Sequence, residues 1–196
     1  MPEYITLTLR GDPYTMGWQH GKQVQHLTPL IVAAMDARSR QLEEDRPDAH
    51  FERLVDDTRA LLEQVDAPLM AMIQGQAHAL GFDFDKLLRY NLVAFLRDDL
   101  LVRRRRDPAA EGCTTWAASG SATVGGEPVL AKNRDYRADH LPLQTVVLTK
   151  PDSGYPYLYV SSAGSPGVFS AGMNQAGLAV ADTHVYSTDL GPGLPS

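Results

Sequence analysis

The sequence predicts an α+β fold, helical in its first half and strand-forming in its second. From Leu27 to about Leu100, apolar residues recur at intervals of three and four, the period of a helix with one buried face. After Cys113 the period falls to two, in short runs parted by glycine- and proline-containing turns about every ten residues, which reads as an antiparallel sheet system. Between the halves, Leu100-Leu101-Val102 passes into Arg103-Arg104-Arg105-Arg106-Asp107-Pro108. In a chain of net charge −6, those arginines read as a solvated linker rather than a phosphate or nucleic-acid site.

Residues 4 to 9 alternate, Ile5, Leu7 and Leu9 against threonines, and predict a short strand. Asp12 and Pro13 then supply a helix N-cap and first helical position. Gly17 and Gly21 fall on one face of that helix, which favours a tight contact with another backbone over the wall of a substrate channel. His20 and His26 are six residues apart and share no helical face, so they read as surface or pocket-rim residues rather than metal ligands.

Leu30, Ala33, Ala34 and Ala37 form one apolar stripe, and Phe51, Leu54, Val55, Thr58, Leu61, Leu62 and Val65 another. Asp66-Ala67-Pro68 ends the second helix and opens a third, which runs through Met72, Ile73, Gln76 and Leu80 to a C-cap at Gly81. Asp83-Phe84-Asp85 starts a fourth, with Leu87, Leu88, Leu92 and Phe95 apolar. Met70 and Met72 read as core. Strands are predicted over 114–118, 127–131 after a Gly125-Gly126 turn, 143–149, 155–160, 168–173 and 178–181. The later turns are Pro151-Asp152-Ser153-Gly154, Ser165-Pro166-Gly167 and Asn174-Gln175-Ala176-Gly177.

A chain of 196 residues, 43% hydrophobic and 21% charged, can bury one substantial core, or a small domain plus a helical layer. Its acidic balance gives no case for nucleic acid or an anionic membrane. One cysteine permits neither an internal disulfide nor a multi-cysteine zinc site, and no metal is expected. The first ten residues lack a basic region and an apolar core, so they do not read as a signal peptide. No apolar run approaches the roughly 18 residues of a membrane span. The expected location is cytoplasmic.

The chemistry concentrates in Glu111-Gly112-Cys113-Thr114-Thr115-Trp116. Gly112 leaves the bond before Cys113 sterically open, and the β-branched residues after it favour an extended backbone. Were that bond broken, Cys113 would carry a thiol and a free α-amine together. An α-amine with a pKa of about 7.7 to 8 can take the thiol's proton as a built-in general base. A lone cysteine more often packs as a small hydrophobe, so position and neighbours must carry the case.

Four segments extend it: Gly11-Asp12-Pro13-Tyr14 with Gly17-Trp18-Gln19-His20-Gly21; Gly112-Cys113-Thr114-Thr115; Asn133-Arg134-Asp135-Tyr136; and Gly172-Met173-Asn174-Gln175-Ala176-Gly177-Leu178-Ala179-Val180. In this order they resemble the acyl-coenzyme A:6-aminopenicillanate acyltransferase family of N-terminal-nucleophile (Ntn) hydrolases, more distantly similar to bile-salt hydrolases and penicillin V acylases. The resemblance implies an αββα sandwich preceded by a helical pro-segment. Residues 1–112 would be the mainly helical pro-segment or α-subunit, and 113–196 the N-terminal part of the catalytic β-subunit. It further implies a zymogen that cleaves itself at Gly112-Cys113, beside Glu111, into two chains that stay associated. Cys113 carries over as nucleophile and Asp135 as the acidic residue near its amine, where a carboxylate stabilises the ammonium form. Asn133, Arg134, Tyr136 and His184 are the candidate substrate-binding residues. His184, after Asp182 and Thr183, reads also as a plain loop histidine.

The implied activity is cleavage or transfer of acyl groups at amide (C–N) or thioester bonds through a Cys113 acyl-enzyme. No cofactor is implied, and acyl-coenzyme A would enter only as a co-substrate. Expected partners are a small-molecule amide or acyl donor and the two chains of one precursor; a homo-oligomer is compatible, while nucleic acid and membrane are not expected. Arg134 stands where close relatives commonly carry an aromatic residue, and with Lys132 it suggests a pocket accepting a carboxylate rather than a penicillin nucleus. Glu111 takes a place often held by aspartate. The family's catalytic part is far longer than 113–196, which implies that the second half of the sandwich, with further Asn, Ser and Arg site residues, is missing here. Two other classes fit the residues: a papain-like cysteine hydrolase with His140 or His184 activating an internal Cys113, and a non-catalytic binding or scaffold protein in which Cys113 is merely buried.

Overall fold

Strand β1 (Ile5–Gly11) buries Leu7 and Leu9 and exposes Thr6 and Thr8, as its alternation predicts, in a computed structural model that describes residues 4–44, 49–93, 96–97, 100, 113–135, 137–165, 170–183 and 191. Helix α1 (Pro13–Gln23) follows, capped by the Asp12 carboxylate, which accepts from the Thr15 amide at 2.9 Å and the Thr15 hydroxyl at 2.8 Å. Next come α2 (Thr28–Glu44), α3 (Ala49–Val65), α4 (Ala67–Leu80) and α5 (Phe84–Asn91). Asp66 caps α4 by accepting from the Leu69 amide at 3.1 Å, and Gly81 closes it at φ 71°, where only glycine avoids strain. Asp83 caps α5 through the Lys86 amide at 2.9 Å. Beyond α5 the Leu96 amide donates to the Leu92 carbonyl at 3.0 Å, and Leu96 and Leu100 are buried.

Two details of the helical stripes differ from expectation. On α2 the buried set is Ile31, Ala34, Met35 and Arg38, while Leu30 and Ala33 are exposed, so the inward face is rotated by one residue. Spacing alone cannot tell two stripes offset by one position. Here the choice falls with Arg38, whose charge is buried because it meets Asp139 at 3.1 Å. On α3, Val65 is exposed: it is the last residue of the helix, directly before the Asp66 cap of α4.

The second half forms β2 (Thr114–Ala118), β3 (Val129–Asn133), β4 (Gln144–Pro151), β5 (Tyr157–Ser162), β6 (Ala171–Asn174) and β7 (Ala179–Ala181). β2 and β3 pair as a separate antiparallel hairpin, and a five-stranded sheet runs β1-β4-β5-β6-β7. The expectation of a purely antiparallel system is corrected at one place: β1 runs parallel to β4, from Ile5↔Thr145 to Gly11↔Pro151. A parallel partner needs a long crossover, and the helices and the hairpin together supply it. The β2–β3 connection is longer than a tight Gly125-Gly126 turn. Gly120, Gly125 and Gly126 all take positive φ around short 3₁₀ turns, so β3 starts two residues later than predicted. The Asn174–Gly177 turn behaves as read: the Asn174 carboxamide oxygen accepts from the Ala176 and Leu178 amides at 3.0 and 3.1 Å, with Gly177 at φ 87°. The arginine linker, Phe95, and the Pro166-Gly167 turn with the first residues of its strand lie outside the described residues.

One sheet face, with Leu7, Leu9, Val147 and Tyr159, packs into the helical core. The other is apolar yet open. Leu148, Leu158 and Met173 sit side by side in register across β4, β5 and β6, and are 42%, 38% and 48% exposed.

The α1–α4 contact brings the two backbones too close for a side chain at its glycines. A Cβ on Gly17 would stand 2.0 Å from the Met72 carbonyl oxygen, and one on Gly75 would stand 2.1 Å from that of Tyr14. The glycine face is thus a helix contact and no channel wall. α1 also guards the outer edge of β1. Gln23 exchanges two hydrogen bonds with the backbone of Thr8 (3.1 and 2.9 Å), and Gln19 does the same with Arg10 (2.8 and 3.0 Å). Spaced one helical turn apart, the two amides stand in for a neighbouring strand. His20 is the clear correction on this helix. It is fully buried, in line with Met16 and Val24, because positions four apart share the inward face; His26 is exposed. No helix among the described residues is long and apolar enough to cross a membrane.

Candidate active site

Cys113 stands immediately before β2, half-exposed, at the open end of the hairpin. The final cross-strand pair is Thr114↔Asn133, so Arg134 and Asp135 leave β3 directly across from the cysteine. Neighbouring strands lie about 5 Å apart, and the pairing alone therefore brings a segment 21 to 22 residues downstream beside the thiol. Asn133 turns to the opposite side of the ribbon, where its amide donates to the Thr114 hydroxyl at 3.2 Å. Asp135 is exposed and has no hydrogen bond or ion pair to another described residue. Glu111, Gly112, Tyr136 and His184 lie outside the described residues.

Side chains alternate along each strand, so Cys113, Thr115, Lys132 and Arg134 belong to one face of the ribbon. That face looks onto the ends of β5 and β7. The Thr115 and Thr183 hydroxyls meet at 2.7 Å, the Lys132 ammonium meets the Asp182 carboxylate at 2.5 Å and also its carbonyl, and Arg134 donates to the Ser162 hydroxyl at 3.4 Å. The Lys132 side chain is 4% exposed, a charge removed from water and answered by a carboxylate. Asp182 and Thr183 thus border the site, as their place after the last strand suggests. Ser162 as a contact residue, and Asp182 as the partner of Lys132, escaped the sequence reading; their signal is register, which appears only once strands are paired.

Past Asp135, a 3₁₀ segment carries Asp139 and His140. Asp139 meets Arg38 at 3.1 Å and Arg137 at 3.5 Å. Burial raises its carboxyl, but the two guanidiniums outweigh this and leave it below the ordinary value. His140 is buried and stacked on Tyr90, with ring centroids 6.3 Å apart. Burial first, and then the nearby Arg38 charge, push its pKa down to about 4. Among the described residues no group of three His, Cys, Asp or Glu side chains is arranged to hold a metal ion. A separate open cleft, lined by Asp36, Arg40, Asp85 and Lys86 among others, includes none of the candidate residues.

Neither a protein-family model nor a curated protein sequence matches the chain. The chemical reading of the site therefore stands on its own residues and geometry.

Proposed function

We propose that this chain belongs to a self-processing Ntn cysteine hydrolase or acyltransferase that acts on an amide or thioester through Cys113. The observation that carries the reading is the placement of Cys113. It is the residue before an extended strand, at the open end of a hairpin that brings Arg134 and Asp135 across from it. The open apolar row Leu148, Leu158 and Met173 supports the αββα form of the reading, since an apolar sheet face is stable only under a second layer. The single cysteine can form no internal disulfide, which fits a reducing compartment such as the cytoplasm.

In the processing step the Cys113 thiol adds to the Gly112 carbonyl. The C–N bond breaks as the proton passes to the departing nitrogen, and a thioester forms. Water hydrolyses it, leaving a carboxylate on Gly112 and a free α-amine on Cys113. In turnover that amine takes the thiol proton, and the thiolate attacks the substrate carbonyl. The protonated amine returns its proton to the leaving group, and water or an acceptor amine resolves the acyl-enzyme. Backbone N–H groups and a polar side chain must hold the tetrahedral oxyanion. Asp135 supplies the negative charge that keeps the new terminus oriented.

His140 is a poor alternative base. Buried beneath Tyr90 with its pKa near 4, it binds a proton too weakly to draw one from a thiol at neutral pH. Intact-mass analysis tests the proposal: two fragments that break before Cys113, and a single chain from Cys113→Ala, are expected. An uncleaved protein that turns over acyl substrates after Cys113 has been alkylated would sink it.

A further inference from the structure

Asp182 lies after β7, outside the residues given a chemical role above, yet its carboxylate meets Lys132 of the ribbon that bears Cys113 at 2.5 Å. We propose that Asp182 is a positioning residue. Through Lys132 it fastens the β2–β3 ribbon to the five-stranded sheet and so sets where the Cys113 thiol stands, an inference that rests on Cys113 being the nucleophile.

The geometry makes the case in three steps. First, a two-stranded ribbon has little stability alone and needs a second structure to hold it. Thr114, Thr115, Trp116 and Ala117 of β2 are all exposed, so the apolar packing of the ribbon is confined to half-buried residues such as Leu130 and Ala131 of β3. Second, the polar rungs add to that hold, and they differ in strength. Thr115–Thr183 is a neutral hydroxyl pair, whereas Lys132–Asp182 joins opposite charges at 2.5 Å with the lysine side chain only 4% exposed. Third, the rung sits close to the thiol. Lys132 pairs with Thr115, two residues from Cys113 on the same face, so any slip of the ribbon against β7 is passed to the thiol nearly undiminished. Ångström-scale misplacement of a reacting group costs about 10- to 100-fold in rate.

The experiment uses the full chain and compares Asp182→Asn, Asp182→Glu and the double variant Lys132→Met/Asp182→Asn. Scission is followed by intact mass, the rate of Cys113 alkylation by iodoacetamide is measured from pH 6 to 9, and hydrogen exchange is followed in β2 and β3. Asp182→Asn should slow scission about 10-fold or more, speed exchange in the ribbon and shift the alkylation profile, and Asp182→Glu should restore part of each. The double variant removes the stranded charge and so recovers thermal stability, but it should keep the altered scission and alkylation. Recovery of wild-type scission and alkylation in the double variant would reduce Asp182 to a structural role and overturn the proposal. So would wild-type behaviour of Asp182→Asn on all three readouts. Should the wild-type chain itself fail to cleave, the reading of Cys113 as a self-processing nucleophile fails, while alkylation and exchange still decide the part played by Asp182.

Discussion

His20 takes both ring nitrogens into the core without a hydrogen-bond partner among the described residues, and burial holds its pKa at about 4, against an ordinary value of 6.5. The unfolded chain gains a proton below pH 6.5 and the native state does not until near pH 4. The stabilisation is therefore whole above 6.5 and is lost as pH falls through that window. His140 follows the same sign over the same interval. Together they predict a loss of up to about 3 kcal/mol per pH unit between 6 and 4, read from urea midpoints across that range. His20→Leu should roughly halve the slope, because one of the two titrations disappears; an unchanged slope would refute the assignment. Nothing in the sequence marks His20 as buried. Its spacing from His26 argues against a shared metal and says nothing of which face turns inward. Cys113 was legible for the opposite reason: its interest lies in the bonded neighbours Gly112 and Thr114, which the sequence states outright.

At the scale of elements, the helix ends were the most readable features. Asp12, Asp66, Asp83 and Gly81 satisfy terminal backbone groups that no helix can satisfy internally, so local sequence decides them. The α1–α4 contact was half readable, since Gly17 and Gly21 announce a close approach without naming the partner. Gly75 completes it, and the opposing atoms are main-chain carbonyls that cannot swing aside. Gly17→Ala and Gly75→Ala should each destabilise the protein by at least about 3 kcal/mol in denaturant titration. Gly81→Ala, which meets no neighbour but must keep a positive φ, should cost only about 1 kcal/mol. Equal losses at the three sites would contradict the close-contact account. Strand starts were less readable: β3 begins where the glycine-rich connection ends, and that length depends on backbone angles no residue type uniquely dictates.

For the molecule as a whole, the five-stranded sheet takes β1 from before the Gly112–Cys113 bond and β4 to β7 from after it. The β1–β4 pairing, the α1 glutamines on β1 and the Arg38–Asp139 bridge tie the two sides together or to one another's supports. If the bond opens, the fragments should co-elute in native size exclusion and part only under denaturant. Separation in native buffer would show that this shared sheet does not hold them. The sequence by itself determined the α+β class, the helix caps, the turn at Asn174 and the candidate nucleophile, because each follows from bonds and neighbours a few residues apart. The parallel seating of β1, the inward turn of His20 and Arg38, and the rungs joining Lys132 to Asp182 and Arg134 to Ser162 were decided only by tertiary structure. Each depends on which distant segment supplies a partner for a backbone edge or a buried charge, and no local pattern specifies that choice.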